Sequence, residues 1–118
     1  MMGVVMLLAA AAANCGDKPN QTAMTMCQKA VADQADAEMN RAWTPLYAKM
    51  KLRDRDEPGY AAALLAAQRA WLAFRDAECR IESYEWRGGS MQPFTANQCR
   101  ADVTRARTRQ LVEMSGWN

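Results

Sequence analysis

The chain has 118 residues, half of them hydrophobic, with 15 basic and 13 acidic side chains for a net charge of +2. That length allows one domain with a modest core, and the near balance of charge gives no overall argument for a nucleic-acid partner. Histidine is absent, which removes the commonest general base and metal ligand and any histidine-containing triad.

Residues 1–13 are uncharged and mostly apolar, and they end in an alanine-rich run before Asn14 and Cys15. They are expected to be a secretory signal peptide with Ala11-x-Ala13 at the cleavage site, leaving 14–118 as the mature domain. The segment is too short to cross a bilayer, which takes roughly 20 residues. A buried N-terminal helix is the competing structural explanation. Lipid anchoring at Cys15 is disfavoured, because Asn14 stands where a small residue is wanted.

Four cysteines follow: Cys15, Cys27, Cys79 and Cys99. An even count in a small exported domain points to two disulfides. Zinc is the weaker alternative, since no Cys-x-x-Cys pair is present and no histidine can help. Of the three pairings that four cysteines allow, Cys15 with Cys27 and Cys79 with Cys99 is favoured, because each closes a local loop.

Taken in order, Asn14 to Gln21 holds Gly16, Pro19 and Asn20 and is expected to be irregular. A helix follows, capped through Thr25-x-x-Gln28 or earlier by Asn20 or Thr22. Val31, Ala35, Met39, Ala42, Leu46 and Met50 form its apolar stripe, which continues past Pro45 and predicts a kink there rather than an end. Charged residues from Lys51 to Glu57, then Pro58 and Gly59, mark a connection, with Pro58 suited to the next helix's first turn. The second helix is predicted over about Tyr60 to Trp86, with Gly88 and Gly89 ending it. A loop from Arg87 to Phe94 leads to a third helix opened by a Thr95-x-x-Gln98 capping box, with Phe94 packing on Cys99. Its stripe is Cys99, Val103, Ala106, Leu111 and Met114, and Arg100, Arg105, Arg107 and Arg109 make it basic. No strand-period alternation of useful length occurs, so the predicted fold class is all-α, a three-helix bundle-like domain stapled by two disulfides.

The segment Leu64 to Cys79 is the centre of this scheme. It is rich in helix formers and holds no Gly or Pro. Leu64, Leu65, Trp71, Leu72 and Cys79 share one face. Gln68 and Arg75 interrupt that face near its middle, where a guanidinium needs a carboxylate or a path to water. Pairing of Arg75 with Asp36 or Glu38 on the first helix is the preferred explanation. Recognition of a ligand carboxylate or phosphate is the second.

Several stretches together resemble the LprI-type lysozyme-inhibitor N-terminal domain family: Gln21-x-x-Met24-x-x-Cys27, Ala35-Asp36-Ala37-Glu38-Met39-Asn40-x-x-Trp43, Gly88-Gly89-Ser90, and Cys99 with Thr104, Arg107 and Leu111. The most specific is Gln68-Arg69-Ala70-Trp71-Leu72-x-Phe74-Arg75-Asp76-Ala77-Glu78-Cys79. The resemblance covers essentially the whole mature chain and departs from the pattern at Pro45 and at the charge-poor start. It implies a small exported bacterial helical domain and supports the Cys79 to Cys99 pairing. It also makes Gln68, Trp71, Arg75, Asp76 and Glu78 a family-motif polar core.

For function, the resemblance implies a binding protein of the periplasm or the secreted space, with lysozyme as the family-based partner. An envelope protein of structural or assembly role is the alternative, since fold does not fix function. The turn from Tyr84 to Phe94 is the candidate contact surface, with Tyr84, Trp86, Gly88, Gly89, Ser90, Met91 and Phe94 as its residues. A disulfide would fix both its ends, and pre-ordering lowers the entropy lost on binding. The same aromatics would otherwise seal the end of the bundle. Two acidic groups, Asp33, Asp36 and Glu38, and Glu78, Glu82 and Glu85, read first as solvated faces or partners of arginines. No carboxylate pair or nucleophile with an adjacent base stands out, so no enzyme, cofactor or metal is expected. Asp102 and Glu113 dilute the arginine-rich third helix, which argues against nucleic acid.

Overall fold

The computed structural model describes residues 14–117. Three helices carry the fold: α1 (Gln21–Arg53), α2 (Tyr60–Ser83) and α3 (Met91–Met114). The all-α, three-helix expectation is met, and both disulfides form as paired above, Cys15 to Cys27 and Cys79 to Cys99. The expected signal peptide, residues 1–13, lies outside the described residues.

The helix boundaries follow local chemistry, not always the predicted one. Asn20 caps α1, its side-chain oxygen accepting from the Ala23 amide at 2.8 Å, so Thr25-x-x-Gln28 is one turn inside the helix and caps nothing. α1 continues through Pro45 to Arg53, because the apolar stripe on either side of the proline is buried as one surface. Asp54 then ends α1 and opens α2. Its carboxylate accepts from the amides of Gly59 at 3.1 Å and Tyr60 at 2.7 Å, satisfying donors that a helix start leaves free. Gly59 is at φ 121°, a region that favours glycine. Pro58 therefore sits before the helix, not in its first turn.

α2 ends at Ser83 and tightens into a 3₁₀ turn over Tyr84–Trp86. Gly88, at φ 79°, makes the reversal. α3 begins at Met91, four residues before the predicted Thr95 cap. Pro93 falls in its first turn, where a missing N–H costs nothing. Phe94 is consequently on the helix and buried, not a staple outside it.

The ties between helices fix their directions. Asp36 meets Arg75, and Met39 meets Gln68, so α2 runs antiparallel to α1. Asp33 meets Arg100, and Lys49 donates to the Ser115 carbonyl, so α3 runs parallel to α1. The Cα positions span 56 × 38 × 15 Å, a flat body in which much of α2 remains uncovered.

Two apolar clusters fill the interior. One, near the start of α1, gathers Cys15, Val31, Ala32, Ala35, Phe94 and Ala101. The other, near its end, gathers Met39, Leu46, Met50, Ala61, Leu64 and Leu111. On two helices polar residues lie between them in sequence, Asp36 on α1 and Thr104 with Arg107 on α3; α2 contributes only to the second cluster, and its Gln68 and Arg75 follow Leu64. The buried face of α3 thus passes through Ala101, Thr104, Arg107 and Leu111. Val103 and Ala106, placed on the predicted stripe, are only half-buried.

Candidate functional site

The polar layer joins all three helices through two arginines. Arg75 bonds from Nη1 to Asp36 Oδ1 at 3.0 Å and to Thr104 Oγ1 at 3.4 Å, and from Nε to Asp76 Oδ1 at 3.1 Å. This is the internal clamp expected of Arg75, extended to a third helix. Arg107 donates from Nε to Gln68 Oε1 at 2.9 Å and from Nη1 to Gln110 Oε1 at 3.1 Å. Gln68 in turn directs its Nε2 toward Met39 Sδ at 3.5 Å. The Trp71 ring lies 5.5 Å from the Arg75 guanidinium and 5.9 Å from that of Arg107, an electrostatically favourable setting for both cations.

Arg107, counted above among the arginines that make the third helix basic, is only 7% exposed. Burial pushes its pKa below the ordinary arginine value. Its Nη2 has no hydrogen-bond partner among the described residues. The signal that could have found it was its spacing from Ala101, Thr104 and Leu111 at intervals of three and four. Of the remaining motif residues, Asp76 is exposed and accepts from its neighbour Arg75, and Glu78 is half-buried beside Cys79. Asp36, Gln68 and Arg75 of this layer also line a groove of about 430 Å³ between α1 and α2, with Asn40 and Trp43 from one helix and Leu65, Arg69 and Leu72 from the other.

The second surface is the turn from α2 to α3. The Cys79 to Cys99 bridge holds the two helices with Cα atoms 5.5 Å apart. The turn beyond it is internally bonded: the Gly89 amide donates to Trp86 O at 2.9 Å, and the Gly88 amide donates to Gln92 Oε1 at 3.2 Å. Tyr84 and Trp86 are 45% and 47% exposed. The Arg87 guanidinium stacks on the Tyr84 ring at 4.9 Å. Gly88, Gly89 and Ser90 are exposed at the tip, whereas Met91 is half-buried and Phe94 packs in the first cluster. Of the seven contact residues named from sequence, five therefore reach solvent together. Phe94 is withdrawn from the surface because α3 starts early enough to turn it inward.

Among the described residues, no group of three or more Cys, Asp or Glu side chains is placed to hold a metal ion. No helix among them is long and apolar enough to cross a membrane.

The chain is 36% identical over 108 residues to an uncharacterized protein of Rhizobium meliloti (strain 1021), covering 86% of this chain and 78% of that one. No solved structure matches the chain. A family model described as lysozyme inhibitor LprI matches residues 11–111. The chain belongs to the lysozyme inhibitor LprI family.

Proposed function

We propose that this chain is an exported protein of the bacterial envelope that binds lysozyme, and that it does so with the turn between α2 and α3. Family membership supports the partner, and the ordered, aromatic tip supports the surface. Tyr84 and Trp86 present half-exposed rings on a turn whose ends are covalently tied, so little ordering entropy remains to be lost on docking. An exposed aromatic tip can enter a cleft. Glycosidase clefts carry a pair of carboxylates flanking the scissile bond, and Arg87, held over Tyr84, supplies a complementary charge.

Recognition would be local. At a net charge of +2, the chain has no overall attraction for a basic enzyme. The test is lysis of bacterial cells by lysozyme, followed by turbidity, with the oxidised mature protein added. Inhibition predicts slower clearing at micromolar protein. Unchanged clearing would remove inhibition of the lysozyme tested and leave the structural or assembly role in the envelope.

A further inference from the structure

α2 carries a second apolar stripe that the fold does not use. Ala63, Ala67, Ala70, Phe74, Ala77 and Ile81 recur at alternating intervals of four and three, and all are exposed, Phe74 at 55% and Ile81 at 65%. At the helical period they lie nearly opposite Leu64, Gln68, Arg75 and Cys79, which α2 turns toward the other helices. This is the spacing found along the seam of a helix pair, and no charge interrupts it.

The sizes along the stripe indicate what covers it. Its first half is all alanine, and its second half carries Phe74 and Ile81. We propose that two copies of this chain pair reversibly through this face of α2, with the helices antiparallel about a dyad between Ala70 and Phe74. Phe74 then lies over Ala70 of the second copy, Ala77 over its Ala67, and Ile81 over its Ala63. The large side chains each meet a small one, so the helices stay evenly spaced. A parallel pair would stack Phe74 on Phe74 and leave the alanine half gaping. A second feature fits the same register. Ala63 and Ala67 form one wall of an apolar pocket of about 270 Å³, completed by residues including Tyr60, Met114 and Trp117, and Ile81 of the second copy arrives beside it.

Area sets the strength. The 19 residues from Ala63 to Ile81 make a ribbon about 28 Å long on a helix about 10–12 Å across. With its flanks this removes on the order of 600 Å² per partner from water, somewhat less than the roughly 800 Å² of a standard interface. The dimer is therefore weak and concentration-dependent. Trp86 and Arg87 stand outside the stripe, so this pairing is independent of lysozyme binding.

The test is sedimentation equilibrium of the oxidised chain across micromolar to millimolar concentration. The expected mass rises from one chain to two, and Phe74→Glu raises the dissociation constant roughly thirty-fold, as for an interface hot spot. Because Phe74 is exposed, helicity and the urea midpoint of that variant stay unchanged. Ala70→Phe and Phe74→Ala should each weaken pairing, and the double variant, which exchanges large for small, should restore it. A monomer mass at millimolar concentration, or a dimer indifferent to Phe74→Glu, overturns the proposal. A double variant no tighter than either single overturns the antiparallel register.

Discussion

Arg107 and Gln68 form a buried pair, Nε to Oε1 at 2.9 Å, and among the described residues no carboxylate pairs with that guanidinium. The amide of Gln68 is thus the principal neutral acceptor for a desolvated cation. Removing it strands the charge, and an unsatisfied buried donor costs about 1–3 kcal/mol, more when charged. Gln68→Leu should therefore destabilise the oxidised protein by about 3 kcal/mol in urea unfolding. Adding Arg107→Met removes the stranded charge as well, and well-packed apolar replacements of buried polar groups are often nearly neutral. The double variant should recover most of the loss. Additive costs would show that the two side chains are energetically separate.

Arg75 and Asp36 make a different kind of contact. Their side chains are 12% and 32% exposed, so the pair is only partly desolvated and the aspartate keeps contact with water. Asp36→Ala is expected to cost about 1–2 kcal/mol, between the values for surface pairs and fully buried ones. A double-mutant cycle with Arg75→Met should return a coupling of about 1 kcal/mol. A coupling near zero would mean that Arg75 is held by Thr104 and Asp76 and that the cross-helix clamp adds nothing.

Much of this arrangement was legible in the chain before any coordinates. The stripe from Val31 to Met50 identified the buried face of α1, because one helix packed on two neighbours shows its period plainly. Local cysteine spacing identified both bridges. Arg75 announced itself by interrupting an apolar face. The misplacements share a cause. Several residues satisfy the same local cap pattern: Asn20 and not Thr25 caps α1 through the bond from the Ala23 amide, and the packing of Met91 and Phe94 starts α3 ahead of Thr95. Arg107 is easily overlooked because four arginines within ten residues look like a solvated face, and only its spacing from Ala101, Thr104 and Leu111 sets it apart from the other three. The exposed stripe of α2 was hidden for the opposite reason, since alanines attract no attention until the fold leaves them uncovered.

Asp33 links stability to pH. The hydrogen bond from Lys29, helped by one from Arg100, holds its carboxyl below the usual carboxylate range. A depressed folded-state pKa favours folding wherever the unfolded carboxyl is ionised, above about pH 4. That contribution is lost as pH falls through the lower folded value. Asp33→Asn should lower the urea midpoint at pH 7 and leave it closer to that of the parent protein at pH 3. The group is exposed, so the gap at neutral pH should also narrow in high salt. An equal gap at both pH values would exclude titration of Asp33 as its source.

The Cys79 to Cys99 bridge closes a loop with a sequence separation of 20, and restricting an unfolded loop of that size stabilises a fold by about 3 kcal/mol in the chain-entropy model. Cys79→Ser with Cys99→Ser should lower unfolding free energy by about that amount. The consequence for binding is separate, because the bridge also fixes the ends of the Tyr84–Ser90 turn. If that turn meets lysozyme, the serine variant, assayed where it is still folded by circular dichroism, should inhibit less well than the parent. Trp86→Ala with Arg87→Ala should inhibit poorly while keeping parental stability, since both side chains are exposed. Inhibition that survives both changes would place the contact elsewhere, with the groove walled by Trp43 and Leu72 as the next surface to alter.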